Sequence, residues 1–299
     1  MNFKFFIKKA TILVILPLFF SRKTFSQVQQ VTIINELKIQ SKFLKREVIY
    51  DLILPPNYEN ISQKLKVLYM NDGQDKESLK IEKTLNKLYR ANEIEPIVFV
   101  TIHANESGTP PDRMKEYGTA AMPDYKNRGN LAHQYNDFII NELTKEIVTN
   151  YNVSSLNEDN YFLGFSLGGL SAIDIVWANP KRFSKVGIFS GSFWWRKKAY
   201  EDGYDDHNDR IMHVLIRNGK FNSGQKFWFE CGTNDEKDDR NGNGVIDSID
   251  DTQDLITELQ NKGYKNGSDI IYYEIKDGEH NQKTWSEAMP VFLKWLVGN

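Results

Sequence analysis

The chain has 299 residues, 40% of them hydrophobic and 13% aromatic, enough apolar material for one large α/β domain or two small ones. A net charge of −2 and the lack of a basic stripe interleaved with aromatics argue against nucleic-acid binding and against attraction to anionic lipid. The single cysteine, Cys231, excludes an intramolecular disulfide and reads as a small buried hydrophobe at the end of the run FWFEC.

In chain order, the first segment joins a positive stretch (Lys4, Lys8, Lys9) to an apolar run, Ala10 to Phe20, too short to span a bilayer. Thr24 and Ser26 are small residues ahead of a cut before Gln27. Residues 1–26 therefore read as a secretory signal peptide. Residues 27–299 read as one exported domain, periplasmic or secreted, with no stable membrane insertion after cleavage. An uncleaved anchor is the alternative, kept open by Arg22 and Lys23.

VTIINELKI and REVIYDLILPPNY, rich in β-branched residues, predict antiparallel opening strands. An alternating pattern follows. LKVLYMN (65–71), PIVFVTIH (96–103), NYFLGFS (160–166), SKVGIFSG, KFWFECG and IIYYEIK are buried strands. SLKIEKTLNKLYRA (78–91), the long amphipathic stretch 130–151, LGGLSAIDIVWA, DTQDLITELQNKG and TWSEAMPVFLKWL have helical spacing. The pattern predicts an α/β fold with a mostly parallel central sheet, antiparallel N-terminal strands and helices on both faces. The longest irregular stretch, 106–129, reads as a functional or mobile loop.

Gly164-Phe165-Ser166-Leu167-Gly168 lies between an apolar strand and a helix, the context in which G-x-S-x-G is a nucleophile elbow. Tight strand-to-helix turns need glycine two before and two after the serine, and Gly169 follows. A serine nucleophile needs a base. Of five histidines only His280 comes late, after the strand IIYYEIK, where post-strand loops share the sheet edge with Ser166. His133, His207 and His213 read as packing or solvated residues. Asp235 follows the strand FWFECG, between Ser166 and His280 in sequence, and is favoured over Glu236 as the carboxylate that orients the imidazole. The oxyanion donors are expected at the N–H of Leu167 and in the turn after LKVLYMN, at Gln74 or Gly73.

VLYMNDGQ, DRMKEY, GFSLGGLSA, FSGSFWW, ECGTNDE and DGEHNQKTW together make the chain, from about Val31 to Leu296, resemble the α/β-hydrolase family named "Putative esterase". That group includes feruloyl and acetyl esterases, S-formylglutathione hydrolases, enterochelin esterases and mycolyltransferases. The resemblance implies a triad of Ser166, Asp235 and His280 acting on a small-molecule carboxylic ester through an acyl-enzyme, with no organic cofactor. The chain departs from many members in having Asp72-Gly73 where they have His-Gly. That is closer to the siderophore-esterase branch, whose usual basic patch is not evident here. Arg113, Glu116 and Tyr117 of DRMKEY look like a lid-side ion-pair segment. Trp194 and Trp195 follow a strand and are expected to wall the substrate pocket, with Arg113 and Tyr117.

The acidic stretch beyond Asp235 matches a twelve-residue calcium loop: Asp239, Asn241 and Asn243 at positions 1, 3 and 5, glycine at 6, the carbonyl of Val245 at 7, Asp247 at 9 and Asp250 at 12. Position 12 is Asp rather than Glu, a shorter reach that weakens a bidentate grip. A structural Ca²⁺ that steadies Asp235 is expected. The leading functional expectation is an exported serine esterase for a small acyl or aryl ester, carbohydrate-linked or similar. The alternatives are a siderophore lactone esterase, an acyltransferase, and a catalytically dead hydrolase that binds glycans or a partner.

Overall fold

The computed structural model describes residues 30–108 and 111–299, so the signal-peptide reading of residues 1–26 lies outside the described residues. The strands are β1 (Thr32–Ser41), β2 (Arg46–Leu54), β3 (Lys66–Met70), β4 (Ile97–Ile102), β5 (Asn160–Phe165), β6 (Lys185–Phe189), β7 (Lys226–Asn234) and β8 (Ile270–Glu279). They form one sheet in the order β1-β2-β4-β3-β5-β6-β7-β8. β1 pairs antiparallel with β2, and β2 antiparallel with β4. From β4 to β8 every pairing is parallel. The central strands β4 and β5 are buried along their whole length, because helices cover both faces.

The helices are α1 (Ile81–Arg90), α2 (Arg113–Glu116), α3 (Ala132–Phe138), α4 (Thr144–Asn150), α5 (Leu167–Ala178), α6 (Asp206–Asp209), α7 (Ile211–Asn218), α8 (Asp247–Lys262) and α9 (Gln282–Val297). The amphipathic stretch expected as one helix is α3 and α4 joined by a π-helical turn, Ile139–Leu143. Its buried residues Tyr135, Ile139, Leu143 and Ile147 recur every fourth position. On a helix of 3.6 residues per turn that spacing drifts about 40° at each step. The wider turn absorbs the drift and keeps the stripe on the sheet. α8 begins at Asp247, four residues earlier than DTQDLITELQNKG suggested.

Two apolar layers sandwich the sheet. One joins α3, α4, α5, α7 and α8 to it through residues such as Tyr135, Leu170, Ile173, Met212 and Leu255. The other joins α1 and α9 through Leu85, Leu88, Trp285, Phe292 and Leu296. α5 is apolar apart from Ser171 and Asp174 and is buried along nearly its whole length. Among the described residues no helix is long and apolar enough to cross a membrane.

The irregular stretch 106–129 is fastened down over its described part. Glu116 takes a bidentate pair from Arg46 at 2.7 and 2.6 Å. The buried Asp174 of α5 accepts the Ala120 N–H at 2.9 Å and the Asn136 amide at 2.9 Å. Buried charge-assisted bonds of this kind hold a stretch whose regular structure is little more than the single turn of α2.

Candidate active site

Parallel strands direct their carboxyl ends to one edge, where open α/β sheets place their ligands. Here that edge gathers the turn after β3, Ser166 after β5, Ser190 to Trp194 after β6, Asp235 after β7 and His280 after β8. Ser166 has φ 52° and ψ −123°, a left-handed backbone that is strained for a residue with a side chain. Its N–H donates to the Phe189 carbonyl at 2.8 Å and its carbonyl accepts from Gly169 and Leu170, so both sides hold it in place. The glycines are required by contact. A Cβ on Gly164 would lie 2.1 Å from the Gly168 carbonyl oxygen, and one on Gly168 would lie 2.5 Å from Asp72 Oδ2. Leu167 opens α5, so its N–H and the positive end of that helix face the space in front of Ser166.

His280 lies just past β8, with its side chain 39% exposed and its ring edge-on to Trp285 at 5.2 Å. Nδ1 stands 4.0 Å from Oδ2 of Asp235, whose side chain is fully buried. That separation is too long for a hydrogen bond, and such contacts often tighten only when substrate is bound. Burial pushes the Asp235 carboxyl up and the His280 imidazole down, while each partner's charge opposes the shift of the other. For His280 burial prevails over the attraction of Asp235, and the net downward shift favours a neutral imidazole. Glu236, the competitor for the role of Asp235, is pushed up to about 7, chiefly by burial.

The turn after β3 holds a largely buried ion pair, Asp72 with Arg113. Asp72, left-handed at φ 59°, is clamped by Arg113 through two bonds of 2.6 and 2.7 Å. Its N–H donates to Tyr117 Oη at 3.2 Å. Gly73 and Gln74 open a short 3-10 turn, so their N–H groups have no partner within it. Gly73 passes so close to β4 that a Cβ would lie 2.6 Å from the Thr101 carbonyl carbon. The Gln74 side chain accepts the Ala104 N–H at 3.0 Å. Asn71 ties this turn to the elbow by donating to the Gly168 carbonyl at 2.8 Å, and it accepts from Tyr135 Oη at 2.6 Å.

Two cavities meet at Ser166 and His280. One, of about 330 Å³, is lined by Ser190, Ser192, Trp194, Asp235, Glu236 and Ser248. The other, of about 380 Å³, is lined by Asp72, Gln74, Asp75, Glu106, Arg113 and Gln282. Two expectations for the substrate wall are corrected. Tyr117 and Trp195 are wholly buried and line neither cavity. Tyr117 lies beneath Arg113, whose guanidinium sits 4.9 Å over its ring. Trp195 fills the space left open by Gly118 and Gly129, each with a would-be Cβ 3.0 Å from its ring. Of the predicted wall, Trp194 and Arg113 face a cavity.

The loop 239–250 hangs between β7 and α8. Asp239 accepts the N–H groups of Gly242, Asn243 and Gly244 at 2.8, 3.2 and 2.9 Å, and the Asn241 and Asn243 amides touch Asp250 Oδ2 at 3.0 and 2.7 Å. Gly242 and Gly244 take the left-handed turns this path needs. Among the described residues no cluster of three His, Cys, Asp or Glu side chains forms a metal site on its own. A calcium loop draws instead on amide and main-chain oxygens; here the amide oxygens of Asn241 and Asn243 accept main-chain N–H groups within the loop while their amide nitrogens face Asp250. Asp247 departs from the expected ligand set. It accepts the Arg240 N–H at 3.0 Å and faces the Arg240 guanidinium at 3.2 Å, so its charge is already engaged. The Asp247 N–H donates to the Asp238 carbonyl at 2.8 Å, fastening the loop to the segment that carries Asp235.

Residues 41–296 match the family described as "Putative esterase". The chain belongs to this family. It is an esterase with the α/β-hydrolase fold. The uncharacterized protein YbbA of Bacillus subtilis (strain 168) is 24% identical over 253 residues, 83% of this chain and 92% of its own. Among solved structures, the enterobactin esterase FES of Shigella flexneri superimposes with a TM-score of 0.66 at 18% identity, over 89% of this esterase and 59% of its own chain. This esterase therefore spans less than two thirds of that enzyme. A ferulic acid esterase gives 0.65 at 18% identity over 90% and 98% of the two chains. The S-formylglutathione hydrolase FrmB of Staphylococcus aureus gives 0.60 at 17% over 90% and 97%.

Proposed function

We propose that this esterase is an exported serine hydrolase in which His280 deprotonates Ser166 for attack on an ester carbonyl. The N–H of Leu167 and an N–H of the Gly73–Gln74 turn stabilise the oxyanion, and His280 protonates the departing alcohol. Water, activated by the same imidazole, then releases the acyl group. Asp235 holds the imidazole tautomer and balances the imidazolium as it forms. The observation that carries this reading is the shared edge: a strained Ser166 and His280 line the same two cavities, with a fully buried Asp235 behind the imidazole.

The cavity lining supports a small acyl or aryl ester of low charge, carbohydrate-linked or similar. Several carboxylates surround the cavities, and the guanidinium of Arg113 is engaged by Asp72. That lining weighs against a highly anionic siderophore complex. Export rests on the N-terminal segment, and a structural Ca²⁺ at Asp239, Asn241, Asn243 and Asp250 suits an exported protein. Bound there, the ion would neutralise the loop's carboxylates and fix the segment next to Asp235.

The test is hydrolysis of p-nitrophenyl acetate, and of a panel of aryl and glycan esters, by the mature protein and by Ser166→Ala and His280→Ala. Each variant should lose at least about 10³-fold in kcat. Equal rates for wild type and Ser166→Ala across the panel would overturn the reading.

A further inference from the structure

The turn that carries Gly73 and Gln74 is held at both ends. At its start Asp72 is clamped by Arg113. Past its far end Lys76 reaches across to Asp51 on β2, with Nζ 2.9 Å from Oδ2. Asp51 is wholly buried, and the Lys76 side chain is 15% exposed. The same Oδ2 contacts His103 Nε2 at 2.7 Å and accepts the Thr101 hydroxyl at 3.1 Å, while Oδ1 accepts the Glu36 N–H at 2.8 Å. A carboxylate only accepts, so Nε2 of His103 carries the proton in this contact. Burial alone would push the Asp51 carboxyl up. The bonds from His103, the Glu36 N–H and Lys76 reverse that and hold it well below the usual carboxylate range, so Asp51 is charged at neutral pH.

Each of these bonds bears on Gly73 and Gln74. Lys76 closes the 3-10 turn Gly73–Asp75, and its N–H donates to the Gly73 carbonyl at 3.2 Å. Thr101 and Ile102 are the floor on which Gly73 rests, too close to admit a side chain there. His103 precedes Ala104, whose N–H donates to the Gln74 side chain at 3.0 Å. The His103 N–H donates in turn to the Ile49 carbonyl of β2 at 2.9 Å, which keeps this strand end in register. One buried carboxylate thus fixes the residue after the turn, the strand end beneath it and the segment that pins the Gln74 side chain. Neither Asp51 nor Lys76 lines the two cavities at Ser166, so any influence on the reaction passes through the turn.

We propose that Asp51 is a positioning residue for the oxyanion site: through Lys76 and His103 it fixes the main chain at Gly73 and Gln74, so that their N–H groups stay aimed at the space in front of Ser166. This rests on the reading of that turn as an oxyanion donor. Donors set in place before the reaction need no reorganisation as charge develops on the carbonyl oxygen. A turn held only at Asp72 could pivot about that end. The second ion pair, beyond the other end, removes the pivot, and its burial keeps water from competing for it.

The test compares wild type with Lys76→Met, Lys76→Arg and Asp51→Asn, and with Ser166→Ala as the control for the nucleophile. Three quantities are read: kcat and KM on p-nitrophenyl acetate, the inhibition constant of an aryl trifluoromethyl ketone, and Tm. The ketone forms a tetrahedral adduct with a serine nucleophile and places its oxygen where the oxyanion forms, so its affinity reports the donors directly. Lys76→Met should lower kcat about tenfold with KM changed by less than about twofold, and should weaken the ketone by about the same factor as kcat/KM. Lys76→Arg keeps a cation within reach of Asp51 and should recover most of both losses. Asp51→Asn, which releases Lys76 and His103 together, should lose at least as much as Lys76→Met. If it does not fold, Lys76→Met carries the decision. A merely structural Asp51 would lower Tm and leave kcat and ketone affinity of the folded variants unchanged, and that result overturns the proposal, as does a loss confined to KM. If Ser166→Ala keeps wild-type turnover, the serine reading itself fails and the proposal falls with it.

Discussion

Replacing Arg113 by Met removes the partner of a buried charge. The Asp72 side chain is 4% exposed and that of Arg113 25%, and two bonds of 2.6 and 2.7 Å join them. Taking one member from a buried pair costs about 3–5 kcal/mol, because the other keeps its desolvation penalty. The partial exposure of Arg113 lets water reach the site and puts the cost near the lower figure. For a domain of this size that lowers Tm by roughly 6–12 °C. The catalytic effect should be distinct. Asp72 starts the Gly73–Gln74 turn and its Oδ2 rests on Gly168 of the elbow, so losing the clamp loosens both candidate oxyanion donors together. One displaced donor costs about 10²–10³ in kcat, and loosening rather than loss should cost about tenfold or somewhat more, with KM less affected. The assay pairs thermal unfolding with kcat and KM on p-nitrophenyl acetate. Asp72→Asn/Arg113→Met should recover most of the stability, since Asn tolerates the left-handed backbone and no charge is left buried. An Arg113→Met protein that melts within about 2 °C of wild type and turns over normally would refute the argument.

Three further outcomes follow from the geometry. Gly164→Ala should give misfolded or inactive protein, because its Cβ would meet a main-chain oxygen at 2.1 Å; soluble expression with activity measured alongside decides it. The acid limb of kcat/KM should have its midpoint below the ordinary imidazole value of 6.5, since the base acts when neutral and burial lowers the His280 pKa; a midpoint above 6.5 counts against His280 in this setting. A chelator should lower both Tm and turnover, with Ca²⁺ restoring them and Asp239→Asn weakening the response; if neither quantity moves, the calcium reading is abandoned.

Much of the architecture was legible because each signal was local. Strand runs of apolar residues bounded by glycine or proline gave the sheet, and the glycines around Ser166 gave the strand-to-helix turn. The placement of His280 and Asp235 also needed only chain order and strand ends. Contacts that join distant segments were less accessible. Nothing near Asp72 in the sequence announces Arg113, forty-one positions away. Trp194 and Trp195 are identical neighbours in sequence, yet one lines a cavity and the other fills a space made by Gly118 and Gly129. Glu230, buried with neither carboxyl oxygen partnered among the described residues, stands in the sequence as a lone charge inside the apolar run FWFEC. A charge at such a position is expensive unless neutralised, and that rule could have singled it out.

The π-helical turn between α3 and α4 has a consequence for how this chain can change over generations. A five-residue turn is what remains when a regular helix takes in one extra residue without losing its footing. Residues on either side stay seated, Tyr135 against Asn71 at the edge of the candidate site and Ile147 in the apolar layer. Losing one residue from 139–143 should restore an ordinary helix with both anchors in place. The same loss inside α5, where every face is packed, would rotate the elbow itself. The turn 139–143 is thus the expected place for a codon to be gained or lost close to the candidate site without displacing it.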